Sequence, residues 1–347
     1  MLVVLPSYAH DILAVVAERD WLIHNFNTSD SQKPYNPANY LYSYELENVK
    51  YRAVVDLNIF QFLVKCTKKR PHPHKNYRDA AAFLVFCQMA KIEIEPCFAV
   101  YERLNYNDEN LDEALTELQS FHNLDNGDMD SLAMYALGFS DVIEAEVGIT
   151  IDRDDLGQKL LKYRKLTDWD SLYLIVLAII QTHVNDAVSK SDKLVVFIDW
   201  IVRNFRLSLP GVMYAVRLFG RQPLKRMMKY RANQTTHERR SAAFNMTWDL
   251  YLMTRFFKYW TDKNASCETI FVSDDNALRA VLRLSIDVQK AGKLDPIGRY
   301  LEPKVFKSIC DLLENSNSRK DRIYGTEQWG PEHRAALISE LESKLFS

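Results

Sequence analysis

The 347-residue sequence has few turn-forming residues and few cysteines. It contains only 10 glycines and 11 prolines, which favours a mostly helical chain with few tight turns. The five cysteines have neither CxxC nor Cys/His spacing, and their number is odd. Neither a zinc site nor a disulfide framework is therefore expected, and a reducing compartment such as the cytoplasm fits this cysteine usage.

Charge and hydropathy also limit the classes of partner. The formal net charge is −2 at pH 7, so any binding of nucleic acid needs a local basic patch. The most apolar run, 172–180, is too short to span a bilayer and predicts a buried helix. Segment 1–11 lacks the basic region and the cleavage site of a signal peptide. We therefore expect a cytoplasmic protein with no membrane partner, and a short helix over 12–23.

No P-loop, glycine-rich dinucleotide loop or Ser/His/acid set is present, and carboxylates at strand ends stand out instead. The apolar run 53–55 ends in Asp56, and a helix-like pattern that contains Asn58 follows. This pattern predicts a buried strand that delivers Asp56 to the carboxyl edge of a sheet, where open α/β sheets bind ligands. Alternatively, Asp56 only caps the next helix.

A second segment of the same kind lies far downstream. Residues 270–272 predict a short strand, and 277–284 predict a helix. Between them, Ser273, Asp274 and Asp275 form the polar end of the strand. Both segments therefore have the order strand, acidic end, helix.

Two other segments supply further carboxylates. Residues 92–95 alternate like a strand and lead toward Glu102, for which Glu95 is an alternative. Residues 241–262 predict a helix, and Asp249 lies one turn before its apolar stripe. A carboxylate there is either paired in the core or directed into a site, and Glu102 could equally be a surface residue.

If the strand ends are neighbours in one parallel sheet, these carboxylates converge, and their repulsion calls for a cation. Mg²⁺ or Mn²⁺ is the natural choice because both ions prefer oxygen ligands. Such an ion would activate water and stabilise the charge that develops during hydrolysis of a phosphodiester. The predicted catalytic residues and metal ligands are Asp56, Glu102, Asp249 and Asp275, with Asp274 as a further ligand and Asn58 and Ser273 as supporting polar residues.

The charge then reverses along the chain. Segment 105–155 is strongly acidic, whereas segment 203–240 is basic and is interleaved with aromatic residues. The basic segment is typical of a surface that contacts phosphates, although a charge run can also be only a solvated face. The predicted phosphate contacts are Arg221, Lys225, Arg226, Lys229, Arg239 and Arg240.

The order of these motifs resembles that of the PIN-domain nucleases. In that family an Asp-x-Asn ends the first strand, a Glu and an Asp lie on helices, and a Thr/Ser-x-Asp ends a later strand. The matching residues here are Asp56 to Asn58, Glu102, Asp249 and Ser273 to Asp275. The resemblance covers 50–104 and 240–290, and it implies a parallel α/β sheet flanked by helices, a divalent metal, and cleavage of RNA in preference to DNA.

With this resemblance, the sequence predicts a discontinuous nuclease core (1–104 and 241–300), a helical insertion (105–240) and a helical tail (301–347). The predicted function is a metal-dependent endoribonuclease and, by analogy alone, a toxin or a phage-defence effector. The alternative is a non-catalytic helical scaffold whose acidic and basic faces bind nucleic acid, a regulatory protein or a second copy of the chain. In that scaffold the carboxylates are dispersed and paired with Arg or Lys.

Overall fold

The computed structural model describes residues 4–26, 33–68, 71–104, 110–143, 148–162, 166, 168–262 and 267–347. Two parts of the predicted acidic face, 105–109 and 144–147, lie outside these residues. The described chain is mixed α/β and mostly helical, with a small sheet flanked by helices, which confirms the predicted α/β class. It forms two compact units, one of 1–165 with 255–276 and one of 166–254 with 277–347.

The sheet belongs to the first unit and has four strands in the described chain: β1 (Leu22–Ile23), β2 (Lys50–Val55), β3 (Ile92–Glu95) and β4 (Cys267–Val272). The strand order is β1-β4-β2-β3, in which β3 and β4 run parallel to β2 and β1 runs antiparallel to β4. The strands predicted at 53–55, 92–95 and 270–272 are thus confirmed. Val55 and Val272 are paired and fully buried, as expected for β-branched strand ends.

Helices pack around the sheet in the first unit. They are α1 (Ala9–Arg19), α2 (Pro37–Glu47), α3 (Leu57–Cys66), α4 (Lys75–Ala90), α5 (Cys97–Leu104), α6 (Leu111–Asp125), α7 (Met129–Ala136) and α8 (Arg153–Lys162). The central helix is α4, since residues 79–87 are all buried and α1, α3 and α7 pack against it. Helix α6 packs on α3, where the ring centroids of Phe60 and Phe121 are 5.8 Å apart.

The first helix ends earlier than the sequence predicts. The pattern indicated a helix over 12–23, but α1 ends at Arg19 because Asp20 adopts the left-handed conformation with φ 53°. The chain then turns into β1, where Leu22 pairs with Val272 of β4. This short strand is specified by pairing with a distant strand, so its local pattern does not indicate it.

The second unit is helical. Its helices are α9 (Trp169–Val184), α10 (Lys193–Asn204), α11 (Leu209–Phe219), the larger part of α12 (Thr236–Thr261), α13 (Asn276–Ala291), α14 (Pro303–Glu314) and α15 (Pro331–Phe346). Residues 172–180 of α9 are all buried, which confirms the predicted buried helix. Helices α10, α11 and α15 pack against α9, and Tyr173 donates a hydrogen bond to Glu342 at 2.7 Å.

Two further features concern the whole chain. No helix in the described ranges is both long and apolar enough to cross a membrane. The five cysteines are free thiols.

The predicted division of the chain into a nuclease core, a helical insertion and a helical tail stays a prediction.

Candidate functional site

Asp56 lies where β2 ends and α3 begins. Its backbone N–H donates to the carbonyl of Val272 at 3.0 Å, which extends the pairing of β2 with β4 by one step. Its Oδ1 accepts a hydrogen bond from the N–H of Ile59 at 2.8 Å and so caps α3, whereas Asn58 is exposed in the first turn of that helix. Asp56 is only 5% exposed. It is therefore both a strand end and a helix cap.

Ser273 has the equivalent position at the end of β4 and contacts Asp56 directly. Its Oγ donates a hydrogen bond to Asp56 Oδ2 at 2.5 Å and accepts one from the N–H of Asp275 at 3.0 Å. Ser273 is fully buried. The contact joins residues that are 217 positions apart, because β2 and β4 are parallel neighbours whose carboxyl ends coincide.

Trp21 holds the next residue of this strand end. Its indole Nε1–H donates to Asp274 Oδ1 at 2.8 Å, and its carbonyl accepts a hydrogen bond from the N–H of Ser273 at 3.2 Å. Trp21 is 1% exposed and directly precedes β1, so the pairing of β1 with β4 positions it. We call Asp56, Ser273, Asp274 and Asp275 the acidic edge.

The sequence pattern did not indicate Trp21. A single tryptophan has no periodicity, and β1 has only two residues. The contact with Asp274 depends on the pairing of β1 with β4, which is a long-range feature. Trp21 could therefore have been predicted as a site residue only if the pairing of β1 with β4 had been known.

The electrostatics of the acidic edge favour a proton or a cation at Asp56. The pKa of its carboxyl group is raised from the ordinary 3.8 to about 7. Burial is the largest cause, and the charges of Asp275 and Asp274 add to it, while hydrogen bonds from Ile59 and Ser273 act in the opposite direction. Near neutral pH the protonated and ionised forms are therefore close in free energy.

The two candidate glutamates differ in position. Glu95 ends β3 and pairs in register with Val54, so the backbone places it at the same end of the sheet as Asp56. Its Oε1 accepts a hydrogen bond from the N–H of Cys97 at 3.0 Å. Glu102 lies in the second half of α5. With a rise of about 1.5 Å per residue, it is about 7.5 Å along the helix axis from Cys97, the first residue of α5. The strand geometry therefore favours Glu95 over Glu102 as the glutamate of the sheet edge.

Asp249 lies on α12 in the second unit. Its Oδ2 forms an ion pair with Nζ of Lys229 at 2.8 Å, and the two side chains are 16% and 30% exposed. A paired acid on this helix is one of the two outcomes that the sequence allowed. One of the predicted catalytic carboxylates thus has a cationic partner within its own unit.

The six basic residues predicted to contact phosphates also lie in the second unit. Lys225 and Arg226 are exposed. The other four contact their own unit: Arg221 pairs with Glu302 at 3.0 Å, Lys229 pairs with Asp249, Arg239 donates to the carbonyl of Leu345 at 2.7 Å, and the guanidinium of Arg240 lies 5.5 Å from the ring centroid of Phe346. The basic segment is therefore partly structural, and phosphate binding by it stays a prediction.

The donor chemistry of the acidic edge suits Mg²⁺ or Mn²⁺, because both ions bind carboxylate oxygens. Each carboxylate offers about four lone-pair sites, so the hydrogen bonds from Ile59 and Ser273 leave Asp56 able to accept more. Within the described ranges, no three His, Cys, Asp or Glu side chains are grouped so that they could hold a metal ion. Metal binding at this edge therefore requires its carboxylate side chains to rearrange.

The chain has no match among protein-family models, curated proteins or solved structures.

Proposed function

We propose that the acidic edge binds Mg²⁺ or Mn²⁺ and that the protein is a metal-dependent nuclease that hydrolyses phosphodiester bonds. The observation that carries this proposal is the hydrogen bond from Ser273 to the buried Asp56 across two parallel strands. Two more aspartates, Asp274 and Asp275, follow Ser273 directly. A buried carboxyl group beside two other acids is the kind of site in which a divalent cation neutralises repulsion.

In this proposal each residue of the acidic edge has a defined task. Asp56, Asp274 and Asp275 would hold the ion, and Glu95 is a further carboxylate at the same end of the sheet. The ion supplies Lewis acidity, which activates water and stabilises charge on the phosphodiester. Ser273 orients Asp56 through its hydroxyl group.

The choice of RNA as the substrate rests on the PIN-like motifs. These motifs also support a PIN-like sheet with a helical insertion, with Asn58 as a supporting polar residue and with Glu102 and Asp249 as further catalytic residues. Lys225 and Arg226 are exposed, so their side chains are accessible to a nucleic-acid backbone. A role as a toxin or phage-defence effector rests on analogy alone.

Cleavage of a mixed pool of labelled single-stranded and structured RNAs tests the proposal, with Mn²⁺, Mg²⁺ or EDTA present. Asp56→Asn is the informative variant, since Asn caps a helix as well as Asp. The substitution removes the negative charge and replaces the carboxylate oxygen that accepts the hydrogen bond from Ser273 with an amide NH2 group, which is a donor. Asp128→Asn is the matched control, because Asp128 caps α7 by accepting a hydrogen bond from the N–H of Ser131 at 2.7 Å.

We expect the wild type and Asp128→Asn to cut RNA only with metal. Asp56→Asn should lower the rate by at least the roughly 10- to 100-fold that loss of a metal-site partner produces. Cutting by Asp56→Asn at the wild-type rate would refute the role given to the acidic edge.

A second candidate function, a non-catalytic scaffold, is favoured by the ion pair of Asp249 with Lys229. Pairing of a candidate carboxylate with a lysine is what this alternative predicts. A scaffold would bind a protein partner or a second copy of the chain through its charged faces. The wild type would then cut no RNA with either metal, and it would bind neither ion.

A further inference from the structure

Arg217, on α11 in the second unit, is a buried arginine with unsatisfied donors. It is 8% exposed, and its Nε and Nη1 atoms are buried and have no hydrogen-bond partner among the residues that the structure describes. Buried arginines are normally paired, because an unpaired buried charge is unfavourable. An unsatisfied buried donor in a folded protein calls for an explanation, and an anion that belongs at the site is one such explanation.

A second guanidinium group lies beside it. The Cζ atoms of Arg217 and Arg299 are 4.1 Å and 4.9 Å from the ring centroid of Tyr300, so both cations contact one aromatic ring. Arg299 has a long contact of 3.7 Å with the carboxylate of Asp287, and both of those side chains are more than half exposed. This contact contributes little neutralisation.

Burial lowers the pKa of the Arg217 guanidinium, and the charge of Arg299 lowers it further, while Tyr300 acts in the opposite direction. No carboxylate is among these causes. Arg217 is therefore a desolvated cation with a second cation beside it, and a bound anion would relieve the repulsion between the two arginines.

The backbone fixes Tyr300 against the end of α11. The N–H of Arg221 donates to the carbonyl of Tyr300 at 2.7 Å. A Cβ atom on Gly220 would lie only 2.7 Å from that carbonyl oxygen and 2.5 Å from the carbonyl oxygen of Val216. Only glycine permits this close approach, so the backbone of Tyr300 is held in place before any ligand binds.

A cleft of about 400 Å³ is lined by residues that are neighbours of Tyr300 in the chain or in the contact with α11. Gly220 and Leu301, which are next to the Tyr300 contact, line it together with the cations Lys190 and Arg221 and the carboxylate Glu302. A cleft of this size admits a small phosphate-bearing molecule.

We propose that Arg217 and Arg299 bind a phosphate group at Tyr300. Guanidinium groups suit this ligand because their planar N–H forks match phosphate oxygens, and two cations match a dianion. The phosphate could be free, part of a nucleotide or part of a nucleic-acid backbone. This site is in the second unit and does not depend on the function proposed for the acidic edge.

Thermal unfolding at constant ionic strength tests the proposal with three ligands: inorganic phosphate, a nucleoside monophosphate and a short single-stranded RNA. A ligand that binds only the folded state raises the unfolding midpoint in a saturable way. The wild type should show this rise with at least one ligand, and the lowest half-saturating concentration identifies the source of the phosphate.

Arg217→Met is the informative variant, since it keeps an apolar stem and removes the buried charge. In this variant the ligand should no longer raise the unfolding midpoint, and the midpoint without ligand should equal or exceed that of the wild type. Arg206→Met is the matched control and should keep the rise, because Arg206 pairs with Asp168 at 3.3 Å elsewhere in the same unit.

No rise in the wild type with any of the three ligands would overturn the proposal, as would an undiminished rise in Arg217→Met. If Arg217→Met does not fold, Arg299→Gln serves instead, because Arg299 is 62% exposed. Loss of a charged hydrogen-bond donor should raise the half-saturating concentration by about tenfold. An unchanged concentration would overturn the proposal.

Discussion

Ser273 Oγ donates a hydrogen bond to the buried carboxyl group of Asp56 at 2.5 Å, and the backbone N–H of Asp56 donates to the carbonyl of Val272 at 3.0 Å. These contacts join the ends of β4 and β2. Burial, together with the charges of Asp275 and Asp274, raises the pKa of Asp56 to about 7. Ionised Asp56 is therefore unfavourable beside Asp274 and Asp275, and a proton or a cation there would stabilise this edge of the sheet.

The free energy of unfolding should depend on pH through Asp56. Because its pKa is raised from 3.8 to about 7 in the folded protein, the stabilisation by its proton is complete below pH 3.8 and is lost as the pH rises through 7. A rise of this size corresponds to roughly 4 kcal/mol. Urea unfolding of the wild type and Asp56→Asn across this pH range measures the effect.

The comparison of the two proteins isolates Asp56. Asp125, whose pKa burial raises to about 6, titrates in the same range and contributes equally to both proteins. The wild type should therefore lose stability relative to Asp56→Asn as the pH rises. Parallel stability curves for the two proteins would contradict the raised pKa.

Ser273→Ala should destabilise the protein most strongly where Asp56 is ionised. The substitution removes the hydrogen bond to Asp56 and the acceptor for the N–H of Asp275, at an expected cost of roughly 1–3 kcal/mol at pH 8. It should also raise the pKa of Asp56 further, since the hydrogen bond from Ser273 lowers it. Carbon-detected NMR titration of the Asp56 carboxyl group checks this direction.

An exposed serine provides the control for that experiment. Ser343 on α15 donates its hydroxyl hydrogen to the carbonyl of Glu340 and is exposed, so Ser343→Ala should change neither the unfolding free energy nor the pKa of Asp56. An unchanged Asp56 pKa in Ser273→Ala would mean that the contact does not control the carboxyl group.

Much of the sheet edge could be predicted from local sequence. The apolar residues 53–55 are followed by Asp56, and 270–272 are followed by Ser273 and then Asp274. These patterns indicated strand ends, and β2 and β4 are indeed neighbours. The position of Trp21 could not be predicted, because β1 exists only through its pairing with β4. Local patterns indicate an element, whereas long-range pairing decides which side chains meet.

Charge patterns were less informative than strand ends. Segment 203–240 reads as a uniform basic run, but the partners of Arg221 and Arg239 lie at Glu302 and Leu345, far along the chain. The sequence alone does not show which basic side chains form ion pairs or hydrogen bonds with residues so far along the chain. The same limit applies to Asp249 on α12, whose partner Lys229 lies in an irregular segment before that helix.

Lys229 and Asp249 should be energetically coupled. A double-mutant cycle with Lys229→Met and Asp249→Asn should give a coupling free energy of about 1 kcal/mol, since both side chains are largely buried and 2.8 Å apart. Urea unfolding measures the coupling, and additive effects of the two substitutions would contradict it. In the RNA assay, loss of cutting in Asp249→Asn but not in Lys229→Met would assign Asp249 to catalysis.

Gly220→Ala should destabilise the second unit. The new Cβ would lie 2.5 Å from the Val216 carbonyl oxygen and 2.7 Å from that of Tyr300, so the backbone would have to shift, at a cost of roughly 1–3 kcal/mol. Gly298→Ala is the control, because a Cβ there meets no atom within 4 Å. Equal unfolding free energies for the two variants would contradict the close approach at Gly220.

The most direct test of the central claim is calorimetric titration of Mn²⁺ at pH 8, which needs neither an RNA substrate nor an activating partner. The wild type and Asp128→Asn should bind the ion. Asp56→Asn and the double variant Asp274→Asn/Asp275→Asn should bind it at least about tenfold more weakly. If the wild type does not bind Mn²⁺, or if Asp56→Asn binds it with wild-type affinity, the acidic edge is not a metal site and the scaffold function is favoured.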